Sequence, residues 1–172
     1  MKKVIGFLGG ILLMQLSAFS ADMPKVGDKA PGFSAPASDG TTVNLKDYVG
    51  KGNIVLYFYP KDDTPGCTKE ACGIRDSFEE LKGLNAIVFG VSFDPVDSHK
   101  AFITKYKLPF VLIADTDKKI AIAYGAANPN SRAASRVTFI IDKQGKIAYV
   151  NPKVDPTTNV AEIRTALNGL TE

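Results

Sequence analysis

The sequence predicts an α/β fold in which a mixed β-sheet is flanked by helices on both faces. Apolar runs with the length of buried strands alternate with segments of helical spacing. The chain closes with two strands joined by a tight turn and followed by a helix, and no internal repeat or long linker divides its 172 residues. Alternation of this kind favours a layered sheet. Since 45% of the residues are hydrophobic, the chain can build one domain core.

The first twenty residues have the organisation of an export signal. Two lysines precede an apolar segment, 4–19, and small residues stand before Ala21. The segment is short for a bilayer span and contains Gln15, so a removed signal is favoured over a retained anchor. We expect residues 1–20 to be removed, leaving a single domain, 21–172, in the periplasm or outside the cell.

The net charge of the chain gives information about its partners. Without the first twenty residues the chain keeps 19 basic and 18 acidic side chains, which is close to neutrality. Basic residues are not interleaved with aromatic ones. The sequence therefore gives no support for binding nucleic acid or a membrane surface.

The elements before the central strand form a small N-terminal unit. Segments 31–37 and 41–45 predict a β-hairpin that turns at 38–40, and 45–49 predicts a short helical turn. Residues 54–59 form a continuous β-branched and aromatic run, which is typical of a strand buried on both faces.

Predicted strands and helices alternate in the second half of the chain. Predicted strands cover 86–92, 110–113, 136–141 and 147–150, with a tight turn at 142–145; predicted helices cover 95–106 and 118–124, and a closing helix begins at Thr158.

The most informative segment joins the central strand to a helix. Pro60 ends the strand, Thr64 is a predicted helix N-cap, and Pro65 occupies the first helical position. Cys67 therefore lies in the first helical turn, where unpaired backbone N–H groups and the helix dipole favour a thiolate. The pattern predicts a reactive sulfur.

Cys72 follows five residues later on the same predicted helix. Two such Cα atoms stand roughly 8–9 Å apart and face about 140° away from each other. A disulfide requires Cα atoms closer than about 7 Å. If Cys67 and Cys72 react with each other, the helix must first unwind, so the spacing suggests a redox cycle with a conformational step.

These residues resemble a known family. The pattern Pro60-x-x-x-Thr64-x-x-Cys67 resembles the active-site signature of the peroxiredoxins, and 67–72 (Cys-Thr-Lys-Glu-Ala-Cys) is similar to their bacterioferritin-comigratory, or PrxQ-type, branch. Segments 98–102, 107–110 and 136–142 fit the same branch in order. The resemblance implies a thioredoxin-like fold with an N-terminal β-hairpin and the activity of a thioredoxin-dependent peroxidase.

The resemblance also implies roles for individual residues. Cys67 is the expected peroxidatic cysteine, which becomes a sulfenic acid, and Cys72 is the expected resolving cysteine. The Thr64 hydroxyl would bond the thiolate or the peroxide, and Pro60 would shield the sulfur from water. Arg136 matches the family's active-site arginine and would stabilise the transition state.

Other polar candidates remained open. Arg132 is the alternative to Arg136, and Arg75 and Arg164 are weaker candidates. Glu70 suits the first helical turn, either as the partner of an arginine or as a surface carboxylate. We expect the only histidine, His99, to be solvated or to cap a helix.

Three further functions were weighed against peroxide reduction. An exported copper carrier and a dithiol–disulfide exchange protein normally use a tighter cysteine spacing, and a structural disulfide conflicts with the helix geometry. The sequence indicates no metal, flavin or haem. We expect a peroxide substrate, a thioredoxin-like reductant and a monomer or weak dimer.

Overall fold

A computed structural model describes residues 22–170. Its strands are β1 (Ser34–Pro36), β2 (Thr42–Asn44), β3 (Asn53–Phe58), β4 (Ala86–Ser92), β5 (Val111–Ala114), β6 (Val137–Ile141) and β7 (Ile147–Asn151); its helices are α1 (Pro65–Asp76), α2 (Phe78–Gly83), α3 (Val96–Tyr106), α4 (Lys119–Ala123) and α5 (Asn159–Asn168). The predicted export signal lies outside the described residues.

The main sheet is mixed, as the sequence predicts. Its five strands run in the order β5-β4-β3-β6-β7, with β3, β4 and β5 mutually parallel. β6 pairs antiparallel with both β3 and β7. The central strand β3 is buried along its whole length, which explains why its sequence is apolar at every position.

Strand β3 divides the interior into two cores. Ile54, Leu56 and Phe58 pack against the hairpin and α4 on one face. Val55 and Tyr57 point to the other face, where α1, α3 and α5 contribute the remaining side chains. Alternate residues of one strand therefore support both layers, and the helix that carries both cysteines lies on the second face.

The N-terminal hairpin is confirmed. Strands β1 and β2 pair antiparallel, with Ala35 opposite Val43. The hairpin joins the main sheet at β5, because the Ser38 amide donates to the Leu112 carbonyl (2.9 Å). The predicted helical turn after it is a 3-10 turn at Leu45–Asp47.

Two local features differ from the sequence-based expectations. A short helix, α2, had no counterpart among the predicted elements. His99 was expected to be solvated, and this prediction is wrong, because its side chain is completely buried. Its Nδ1 lies 2.9 Å from Asp62 Oδ2, and its Nε2 lies 3.2 Å from the Ile113 carbonyl oxygen. The ring is therefore held between the loop that carries Asp62 and strand β5.

Helix α3 holds the loop between β3 and α1. Asp62 accepts hydrogen bonds from Tyr59 Oη and Ser98 Oγ, each at 2.7 Å. Asp63, which has a positive φ of 56°, accepts from Lys105 Nζ (2.6 Å) and Tyr106 Oη (2.5 Å). These bonds from the two ends of one helix fix the entry to α1.

Within the described part of the chain, no helix combines the length and apolar character needed to cross a bilayer.

Candidate active site

Cys67 lies in the first turn of α1, as predicted. Pro65 occupies the first helical position and Thr64 precedes it with an extended backbone. The Cys67 side chain is buried, with 2% exposure, and the thiol is free. Amides of a first helical turn have no partner within the helix, so they and the helix dipole favour negative charge at this sulfur.

Arg136 brings a full positive charge to the same sulfur. It stands immediately before β6, beside β3, and its Nη2 lies 3.4 Å from Cys67 Sγ. A Cβ atom on Gly66 would come within 3.3 Å of this nitrogen, so the glycine leaves room for the guanidinium. Burial lowers the pKa of Arg136, but its bonds to Cys67 and Glu70 outweigh that effect, and the net shift is upward. The guanidinium therefore stays positively charged at neutral pH.

The other arginines lie elsewhere. Arg75 pairs with Asp76 (2.8 Å) and Arg164 with Glu80 (2.6 Å), while Arg132 is exposed to solvent. Of the four arginine candidates, Arg136 alone has a described contact with the Cys67 sulfur.

Glu70 is a buried partner of Arg136. The sequence left open whether this residue was a surface carboxylate, and the structure shows 1% exposure. Its Oε2 accepts from Arg136 Nη1, and its Oε1 accepts from Asn159 Nδ2 at 2.7 Å. Burial raises the pKa of Glu70 to about 7, against the opposing effects of Arg136 and Asn159. The carboxyl therefore titrates near neutral pH beside the reactive sulfur.

Thr64 corrects a local prediction. Its backbone occupies the N-cap position, but its side chain makes no capping hydrogen bond. The hydroxyl instead donates to the Lys61 carbonyl at 3.0 Å and closes the loop that precedes the helix. Capping by the side chain is therefore wrong, while the contact of Thr64 with a peroxide stays a prediction. Pro60 is half-buried at the end of β3, and its shielding of the sulfur also stays a prediction.

Cys72 lies on α1, as predicted, and is half-buried with a free thiol. An intact helix from 65 to 76 keeps its Cα roughly 8–9 Å from that of Cys67. The Arg75 guanidinium, one turn further on, interacts with the Cys72 side chain and donates to the Tyr106 carbonyl at 2.8 Å.

Two buried contacts were missed by the sequence analysis. Asn159 starts the last helix, 89 positions after Glu70, and no local pattern relates the two. The sequence assigned no role to Asp62, although this residue accepts from His99 across 37 positions. Both contacts depend on tertiary packing. Among residues 22–170 no group of three or more His, Cys, Asp or Glu side chains is placed to hold a metal ion.

Comparison with known proteins identifies the family. Residues 26–150 match the model of the AhpC/TSA family. Peroxiredoxin Bcp of Bacillus subtilis is 42% identical over 154 residues, which cover 86% of this chain and 98% of that protein. The chain belongs to the AhpC/TSA family of peroxiredoxins. Within it, the chain is of the Bcp/PrxQ type and is a thiol peroxidase.

Solved peroxiredoxin structures show the same fold. The Xylella fastidiosa PrxQ mutant structure is 28% identical, with a TM-score of 0.81, over 88% of this chain and 99% of that one. Peroxidoxin BcpB of Mycobacterium tuberculosis is 30% identical, with a TM-score of 0.79, over 86% of this chain and 98% of that one. The predicted thioredoxin-like fold with an N-terminal hairpin is therefore confirmed.

Proposed function

We propose that this peroxiredoxin reduces hydrogen peroxide and organic hydroperoxides through Cys67, with Cys72 as the resolving residue. The observation that supports it most strongly is the Cys67 sulfur at the start of α1, with Arg136 Nη2 at 3.4 Å. This guanidinium can donate to the thiolate and to a peroxide oxygen as negative charge moves between them.

The first step is a displacement at oxygen. The Cys67 thiolate attacks one peroxide oxygen, an S–O bond forms, and the O–O bond breaks. The departing oxygen leaves as hydroxide or alkoxide and takes up a proton to become water or an alcohol. Cys67 is then a sulfenic acid. Pro60 and Thr64 would line the approach to the sulfur.

The second step needs α1 to unwind. The Cys72 thiolate attacks the sulfenic sulfur, an S–S bond forms, and the hydroxide released takes up a proton to form water. The distance between the two Cα atoms in the intact helix forbids this bond. Gly73, directly after Cys72, weakens the helix where it must open.

The cycle closes by reduction of the disulfide. A thioredoxin-like protein would attack it with a thiolate and restore both cysteines in two exchange steps. This donor follows from the family resemblance, and a turnover supported only by small thiols would contradict it. We further propose that the domain acts outside the cytoplasm as a monomer or weak dimer.

Stopped-flow oxidation of the reduced protein tests the cysteine roles. We expect fast reaction with hydrogen peroxide, which is lost in Cys67→Ser, and a stable sulfenic acid in Cys72→Ser. Oxidation no faster than that of a free thiol would refute the peroxide mechanism. The mass of the protein recovered from a Gram-negative periplasm tests export, since removal of residues 1–20 leaves Ala21 as the first residue.

An exported copper carrier of the thioredoxin fold would pair its two cysteines with a histidine, and the only histidine in this sequence is His99. Both ring nitrogens of His99 are engaged, by Asp62 and by the Ile113 carbonyl.

A further inference from the structure

One buried polar side chain at the active site has no part in the chemistry described above. Asn159 is the first residue of α5 and is 1% exposed. Its Nδ2 donates to Glu70 Oε1 at 2.7 Å. Its Oδ1 is buried and has no described hydrogen-bond partner. Burying the Asn159 amide oxygen without a partner costs desolvation free energy. The hydrogen bond from the amide nitrogen to Glu70 has to offset that cost.

The Asn159 amide stands at the end of a chain of contacts that reaches the sulfur. It donates to one Glu70 oxygen, and Arg136 Nη1 donates to the other. The second terminal nitrogen of Arg136 lies 3.4 Å from Cys67 Sγ. The carboxylate therefore lies between two donors, and its position sets the direction of the guanidinium.

Glu70 also lies between the two cysteines on α1. Joining Cys67 to Cys72 requires the backbone between them to leave the helical conformation. Because Glu70 lies on this segment, we expect the rearrangement to separate its carboxylate from Arg136 and from Asn159. It would leave the Asn159 amide buried without a partner at either end, which adds to the cost of opening.

We propose that Asn159 is a positioning residue that latches α1 to α5. Its hydrogen bond to Glu70 stabilises the folded active site that reacts with peroxide, and it opposes the unwinding that lets Cys72 reach Cys67. The proposal rests on the proposed function for the second of these effects. It makes the last helix of the domain a determinant of how long the Cys67 sulfenic acid persists.

The pH dependence of Glu70 offers a second way to detect the role of Asn159. The charged and titratable groups that act on Glu70 are Arg136 and the Tyr57 hydroxyl, whose pKa is raised chiefly by burial and next by the Glu70 charge. Donation by Asn159 favours the ionised carboxyl and so lowers the pKa of Glu70, which burial raises to about 7. Removing that donor should move the titration of Glu70 to higher pH.

The test replaces Asn159 by leucine in the full mature protein. Leucine has a similar size and no donor. Asn151→Leu is the matched control, because the Asn151 amide also donates to a carboxylate on α5, that of Glu162, and has no described hydrogen bond to α1. Three quantities are followed: the rate of Cys67 oxidation in a Cys72→Ser background, the rate of disulfide formation, and hydrogen exchange of the α1 amides in the reduced protein.

We expect opposite effects on the two chemical steps. Loss of a hydrogen bond to a charged group should speed α1 hydrogen exchange and disulfide formation about 10-fold. Oxidation of Cys67 should slow about 3- to 10-fold, because Arg136 is less well fixed. The pH at which the oxidation rate inflects should rise in Asn159→Leu and stay unchanged in Asn151→Leu.

Hydrogen exchange separates the two proposals, since it needs no peroxide. Unchanged α1 exchange in Asn159→Leu would overturn the latch, whatever the peroxide chemistry. A wild-type protein that reacts with peroxide no faster than a free thiol would instead refute the proposed function and leave the exchange result to decide the latch. If Asn159→Leu does not fold, Asn159→Ser is measured in the same way, since its side chain is too short to reach Glu70.

Discussion

At the residue scale, one cation serves two acidic groups. Arg136 contacts both the Cys67 sulfur and the Glu70 carboxylate, and all three groups are largely screened from water. Arg136 therefore couples the titration of Glu70 to the electrostatic environment of the sulfur. When Glu70 loses its proton near neutral pH, its negative charge offsets part of the positive charge of Arg136 that acts on the Cys67 sulfur.

Replacing Arg136 by methionine should remove the positive charge that, in the proposed mechanism, stabilises the transition state. We expect the rate of Cys67 oxidation by hydrogen peroxide to fall on the order of 100-fold. Arg132→Met is the control, because Arg132 is exposed and should leave the rate unchanged. Equal rates in Arg136→Met and the wild-type protein, measured by stopped flow, would exclude Arg136 from the reaction.

Glu70 gives the stability a recognisable pH dependence. Its pKa is about 7 in the folded protein and about 4.5 in the unfolded chain. The folded state then binds the proton more tightly, so this contribution to stability is fully present below about pH 4.5. It is lost as the pH rises through about 7. Through Glu70 alone, the free energy of unfolding is then about 3 kcal/mol lower than at pH 4.5.

Chemical denaturation across this pH window checks the prediction. We expect the free energy of unfolding of the wild-type protein to fall by about 3 kcal/mol more than that of Glu70→Gln between pH 4.5 and above pH 7. If the free energies of unfolding of the two proteins changed equally with pH, burial would not raise the pKa of Glu70 in the folded state.

Predictions about single residues were correct where neighbouring residues in the sequence determine the local structure. The helix start at Pro65 and the first-turn position of Cys67 follow from proline and N-cap preferences. The side-chain role of Thr64 did not follow, because its hydroxyl is oriented to donate to the Lys61 carbonyl and accepts no hydrogen bond from a helix amide. Placement of Arg136 beside Cys67 came from family resemblance, since 69 positions separate them.

At the scale of elements, the proposed cycle requires α1 to be stable enough to present Cys67 and weak enough to open. Its inner face is anchored by buried Ala71 and Ile74, and its carboxyl-terminal part is tied to α3 through Arg75. Gly73 is the weak point, since a glycine within a helix costs about 1 kcal/mol relative to alanine. A Cβ atom at Gly73 would meet nothing within 4 Å.

Gly73→Ala should therefore strengthen α1 without a clash. We expect disulfide formation to slow about 5-fold, while oxidation of Cys67 keeps its rate. Gly83→Ala on α2 is the matched control, because its Cβ would also meet nothing within 4 Å. An unchanged rate of disulfide formation in Gly73→Ala, measured by quenched flow, would mean that α1 opens elsewhere.

The elements themselves were largely readable from the sequence. Strands such as Asn53–Phe58 and Ala86–Ser92 carry continuous apolar runs, and helix Val96–Tyr106 carries a helical spacing. The pairing of α1 with α5 could not be read, because it depends on which helices share one face of the sheet. His99 was misjudged for the same reason, since its environment is made by a loop and a strand distant in the chain.

At the scale of the whole molecule, the reactive sulfur sits where three separate parts of the chain meet. α3 fixes the loop before α1, the strand pair β3–β6 supplies Arg136, and α5 supplies Asn159. Only the helix that carries both cysteines has to change shape during the proposed cycle. The domain thus combines a rigid frame with one element that opens.

Peptide mapping after one equivalent of hydrogen peroxide tests this account most directly. The reduced protein is oxidised, digested without reductant and analysed by mass spectrometry. The account predicts one disulfide per chain, joining Cys67 to Cys72, in a monomeric product. A Cys67 sulfenic or sulfinic acid with Cys72 still a free thiol, or a disulfide between two chains, would contradict it.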